Sequence, residues 1–161
     1  MSYGGFLAIY IVGIQTKTGM EPKEEAEKKV KEGWLHSVML VEVLAATEEA
    51  AKTSLEKHIE KMGKEKKTLV FRTDYKEMNK IDNPLPKTEV GYSYIVEVEL
   101  VAENLETLLY LAMNYAPTSI ELLHPERIEL DMGEAQGILV SVTDLVHKFA
   151  RAGLGGVLIN S

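Results

Sequence analysis

Tyr92-Ser93-Tyr94-Ile95-Val96-Glu97-Val98-Glu99-Leu100-Val101 changes character at almost every step. Tyr94, Val96, Val98 and Leu100 share one parity, and Ser93, Ile95, Glu97 and Glu99 share the other. Successive side chains leave a pleated backbone on opposite faces, so this period of two predicts a strand. One face of it belongs in a core, and the other carries carboxylates.

Upstream, residues 68–74 predict a second strand and residues 36–44 a third, while 79–87, with Asp82, Asn83, Pro84 and Pro86, reads as a long connection. Thr47 is placed to cap a helix running to about Met62, with Glu48 and Glu49 complementing the dipole of its first turn. Its apolar stripe is Ala51, Leu55, Ile59 and Met62. Downstream, Asn104 caps a helix with the stripe Leu105, Leu108, Leu109, Ala112 and Ala116, and Pro117 stops it. Residues 119–123 return as a strand.

Residues 36–124 therefore read β-α-β-β-α-β. That order resembles the ferredoxin-like α/β plait of the α+β class, an antiparallel four-stranded sheet with both helices on one face. The resemblance is to a fold and implies no activity.

Outside this core an N-terminal strand and helix are expected. Residues 6–14 are apolar on both parities, as in a strand covered on both faces. Pro22 opens a charged helix ending near Gly33, whose only apolar stripe is Ala26 and Val30, so it should dock lightly. At the other end Asp131 and Glu134 form a capping-box signal for a helix to about Ala152. That helix is expected to bury Ala135, Ile138, Leu139, Val142, Leu145, Val146 and Phe149. A short strand at 157–159 completes one domain, 1–161, with 1–35 and 125–161 packed on the plait.

Composition excludes several classes. At 161 residues the chain can bury roughly 70% of its unfolded surface. The net charge of −7, from 25 acidic and 18 basic residues, repels phosphate backbones and argues against nucleic acid. No cysteine is present, which removes disulfides and thiolate metal sites and fits a cytoplasmic location. The apolar run at 6–12 is too short to span a bilayer and lacks signal-peptide flanks, so no membrane association is expected. Abundant Lys and Glu with only Gln15 and Gln136 resemble the bias of heat-adapted proteins.

The sheet face away from the helices follows from the parities. It should carry Val38, Leu40, Leu44, Val70, Ile95 and Val101, interrupted by Glu42, Glu97, Glu99, Arg72 and Asp74. Arg72 is the expected cross-strand partner of Glu97 or Glu99. So apolar a face requires a cover: a terminal extension or a second copy of the chain.

Chemistry is sparse. The plait's strand order is expected to gather His36, His124 and Tyr92 at one rim, with Asp74 and Tyr75 close by. Two imidazoles, a phenol and a carboxylate suit acid–base work, although strand ends in solvent are the simpler reading. His58 and His147 are isolated on helices, and Gly153, Gly155 and Gly156 follow a helix where a phosphate cradle needs them to precede one. No metal-ligand, P-loop, dinucleotide or nucleophile-elbow motif occurs, and no cofactor is expected. Gly91-Tyr92-Ser93-Tyr94-Ile95 resembles part of the RNA-recognition motif's third strand, but Val90 and Glu97 depart from it and Tyr94 faces the helices.

Three functions are thus in view. The first is a self-associating module that assembles or binds a small ligand. The second is an enzyme using His36, His124, Asp74 and Tyr92, and the third is RNA binding.

Overall fold

The computed structural model describes residues 19–153. The strands expected at 6–14 and 157–159, and Gly155 and Gly156, lie outside them. Within them the fold is mixed α+β, with four helices and a five-stranded antiparallel sheet.

Helix α1 spans Pro22–Lys31, with Pro22 in its first turn, a Glu25–Lys29 ion pair at 3.9 Å, and Gly33 at φ +97° just past its end. Strand β1 is Leu35–Ala45, and helix α2 is Glu48–Gly63. The Thr47 side chain accepts from the Ala50 amide at 3.1 Å, and α2 buries Ala51, Leu55, Ile59 and Met62, the stripe its spacing predicts. Strand β2 is Thr68–Tyr75, β3 Asn79–Leu85 and β4 Thr88–Ala102. Helix α3, Leu105–Tyr115, starts on the Asn104 side chain, which accepts from the Thr107 amide at 2.9 Å. It ends with Ala116 in the left-handed conformation before Pro117. Strand β5, Ser119–His124, and helix α4, Met132–Arg151, complete the described fold. Both halves of the capping box form at α4: Glu134 N–H donates to Asp131 at 2.8 Å, and Asp131 N–H donates to Glu134 at 2.9 Å.

The strand order is β2-β4-β1-β5, with β3 paired to the first half of β4. Met39, Val41, Val96, Val98 and Leu100 lie on one face beneath α2 and α3, and these make up most of the core. The buried stripe of α3 is Thr107, Leu108, Leu111 and Tyr115, turned from the expected one; Leu105, Leu109 and Ala112 are half-buried, and Ala116 is exposed at the cap.

Three expectations are corrected. Residues 79–87 are no open connection. Residues 79–85 pair as an edge strand, where Pro84 is tolerated because its missing N–H faces no partner. The turn to β4 places Pro86 before Lys87 at φ +71°, the Pro-then-positive-φ pattern of a type II turn. Second, β2 shifts register between Val70 and Arg72. The extra residue, Phe71, turns Val70 into the core opposite Leu100 and leaves Leu69 opposite Val101 on the other face. Third, α4 buries none of its residues, because among the described elements only α3 lies substantially along it.

The remaining face of the sheet is covered at one end by α1, whose Ala26 and Val30 sit with Phe71, His36 and Val101. Across its middle Ile95 and Leu40 are half-buried. At the far end a Cβ built on Gly91 would lie 2.7 Å from Pro84 Cγ and 3.3 Å from Leu44 Cδ1. Gly91→Ala is therefore expected to pry β3 from β4 and cost about 1–3 kcal/mol by overpacking, read as a lower urea midpoint.

Candidate functional site

β1 and β4 position a pocket beneath α1. His36 follows Leu35, which is buried in the core, so its ring emerges on the opposite face toward α1. Glu99 lies two residues before Val101, the register partner of His36, and therefore projects from the same face. The two meet, with His36 Nε2 2.8 Å from Glu99 Oε1. The bulge at Phe71 carries that ring onto the same side, 5.5 Å from the imidazole.

With Ala26, Val30 and Val101 these groups line a cavity of about 330 Å³, bordered by Lys23, Glu27 and Lys31. An apolar hollow with a few convergent polar groups is the usual form of a small-molecule site.

A ladder of charges runs from this pocket along the sheet. Arg72 Nε donates to Glu99 Oε2 at 2.6 Å, and Arg72 Nη2 to Glu97 Oε1 at 3.1 Å. Lys76 Nζ lies 3.9 Å from Glu97 and 2.5 Å from Asp74. Arg72 thus joins both glutamates that parity places beside it. The carboxylate of Glu99 is mostly buried and holds one nitrogen of His36, which orients the ring and leaves Nδ1 for a ligand. A carboxylate-anchored imidazole is suited to accepting or delivering a proton at that atom.

The other predicted site residues are placed as follows. His124 is the register partner of His36 on β5, and it is exposed. Asp74 lies opposite Glu97 near the middle of the sheet, paired with Lys76. Tyr92 lies opposite Ala45, nine residues from His36 along β1, or roughly 30 Å at strand rise. The expected cluster of four is not assembled, because antiparallel pairing sets the start of β4 against the end of β1. Glu99 is the partner of His36 that sequence reasoning overlooked, although its parity already put it on the right face.

Elsewhere, His58 lies 3.2 Å from the Tyr115 carbonyl oxygen and 4.8 Å from that ring, a packing role. His147 is exposed. Tyr94 stacks on Tyr75 at 5.6 Å, against the core and not on the open face. A wider groove by Lys64, Lys66 and Lys67 at the start of α3 is offset by local carboxylates: Lys67 binds Glu103 at 2.6 Å and Lys64 binds Glu60 at 2.5 Å. No described cluster of three His, Cys, Asp or Glu side chains is arranged to hold a metal ion. No helix among the described residues is long and apolar enough to cross a membrane.

Two phenols are perturbed. Burial, reinforced by the charge of Glu56 and by Tyr94, pushes the Tyr75 hydroxyl up to about 12. Burial, with a hydrogen bond donated to Glu65, pushes the Tyr115 hydroxyl upward as well. A folded-state value above the unfolded one of about 10 favours folding fully below pH 10 and loses that contribution as pH climbs past it. The melting temperature is expected to fall between pH 10 and 12, and Tyr75→Phe should flatten that fall.

The sequence model of the MJ0538 family matches residues 36–158, well over half of the chain, and the chain belongs to that family. No curated protein and no solved structure matches it.

Proposed function

We propose that this member of the MJ0538 family is a ferredoxin-like plait that self-associates and serves as an assembly or small-ligand-binding module. The strand order β2-β4-β1-β5, with α2 and α3 on one face, supports the plait reading. One observation carries self-association: α4, a 20-residue helix, has no buried residue, yet Leu139, Val142, Val146 and Phe149 stand open along it. Contiguous apolar surface of that kind marks a contact that the described residues leave unmade. Among the described residues strand β5 adds an edge with no further strand on it, exposed throughout. Light scattering on a dilution series tests this. A mass of twice the chain or more, falling on dilution, is the expected result, and a single-chain mass at ~100 μM would end the proposal.

A second reading rests on the His36–Glu99 pair at 2.8 Å inside the pocket under α1. It makes the protein an acid–base catalyst for a small molecule with an apolar body seated on Phe71. A metabolite panel screened by thermal shift tests it. A hit that stabilises the native protein but not His36→Ala, and that the native protein alone converts, favours it. A panel with no hit removes it.

A further inference from the structure

Both carboxylate oxygens of Glu99 are engaged, Oε1 by His36 Nε2 at 2.8 Å and Oε2 by Arg72 Nε at 2.6 Å. A guanidinium is always protonated and keeps its partner ionised, so this carboxylate only accepts. The proton of the neutral His36 ring therefore sits on Nε2, and Nδ1 offers a lone pair. Among the described residues Nδ1 has no partner. An O–H or N–H donor would complete it.

The rim has the opposite demand. Lys23, Glu27 and Lys31 follow at steps of four along α1, so they share one stripe of the helix, and all three border the pocket while exposed. Lys28 and Lys29 are held by Glu32 and Glu25 at 4.0 and 3.9 Å, but neither Lys23 nor Lys31 has an ion pair among the described residues. Glu27 can offset only one of them, and the charge of Glu99 is already answered by Arg72. In a chain of net charge −7 this mouth is cationic, and it favours an anion.

Between mouth and imidazole the walls are apolar, with Ala26 and Val30 on one side and the Phe71 ring 5.5 Å from His36. The cavity of about 330 Å³ is at the small end of ligand pockets, room for one ring and its substituents. We infer that it takes a small aromatic acid carrying a ring hydroxyl. The hydroxyl donates to His36 Nδ1, the ring lies on Phe71, and the carboxylate faces Lys23 and Lys31. This rests on the acid–base reading of the pocket and names its substrate class. Proton transfer breaks the O–H bond and leaves its electron pair on oxygen, and the imidazolium formed stands between that phenolate and Glu99.

Four single-ring probes separate these demands. The probe para-hydroxybenzoate meets both, benzoate lacks the hydroxyl, para-cresol lacks the charge, and tyramine reverses it. Binding is followed by the His36 imidazole resonance, assigned among the four histidines by its loss in His36→Gln. The complete probe is expected to bind with a Kd below about 1 mM, benzoate and para-cresol at least about fivefold more weakly, and tyramine not at all. Lys23→Ala with Lys31→Ala, both at exposed positions, should weaken para-hydroxybenzoate about tenfold and flatten its salt dependence. Lys28→Ala, outside the pocket, should change neither. Equal binding of tyramine or para-cresol would overturn the acidic class, and equal binding of benzoate would overturn the hydroxyl contact. Binding of none of the four at ~10 mM would overturn the whole assignment. In each of those cases a His36-dependent conversion of another molecule in the metabolite panel would leave the acid–base reading standing without this class.

Discussion

Replacing Leu139 and Val146 together by glutamate is expected to leave a folded monomer. In the single chain both side chains are more than half exposed, so the substitutions disturb little within it and should cost within about 0.5 kcal/mol each. In an assembly that covers α4, the introduced carboxylates would enter an apolar contact, and an unpaired charge taken from water costs several kcal/mol. Two such penalties alone raise a dissociation constant by a thousandfold or more, since each 1.4 kcal/mol is about tenfold. Light scattering at ~100 μM should then read the mass of one chain. Melting gives an independent check. The native melting temperature should rise with protein concentration, because association binds the folded state alone, and that of the double variant should not. Lys28→Ala, on the exposed face of α1, should alter neither quantity. An unchanged mass in the double variant would clear α4 of any part in association.

Much of the fold was legible because its signals are local and repeat. The caps at Thr47, Asn104 and Asp131 each accept the hydrogen bond their residue type offers, and α2 buries the four residues its spacing names. The alternation in β4 places Val96, Val98 and Leu100 in the core and Glu97 and Glu99 outside it.

What was illegible depends on contacts distant in sequence. Nothing near Phe71, neither a glycine nor a proline, marks the bulge that turns Val70 from the expected outer face into the core. That bulge carries Phe71 into the pocket, so the pocket was hidden with it. Docking of α1 on this face was equally obscure, since Ala26 and Val30 offer too little apolar surface to name a destination. The misplaced Tyr92 has another cause. Its position follows from strand direction, and reading the neighbouring strands as if their starts coincided put it at the wrong rim. For α4 the periodicity was plain but its meaning was not, because an apolar stripe looks the same whether its partner belongs to the same chain or another.

The sharpest test of the sheet compares two adjacent residues of β4. Val98 is fully buried between Met39 of β1 and Thr73 of β2. Val98→Asp would place a carboxylate there between two uncharged register partners, neither of them a cation. Such a change costs about 4 kcal/mol or more, a large share of the 5–15 kcal/mol that holds a domain together. The variant is expected to be largely unfolded, or to unfold in urea well below the native midpoint. Glu97 is one residue away and half-buried, with Arg72 at 3.1 Å and Lys76 at 3.9 Å. Glu97→Ala leaves Arg72 on Glu99 and Lys76 on Asp74, so each cation keeps a carboxylate. Exposed ion pairs contribute at most about 1 kcal/mol, and the loss should lie within that. A strand's side chains alternate with a period of two, so a slip of one residue would exchange these outcomes. Were Glu97→Ala the more damaging of the two, the core and the charge ladder would have to trade faces, and the pocket at His36 would go with them.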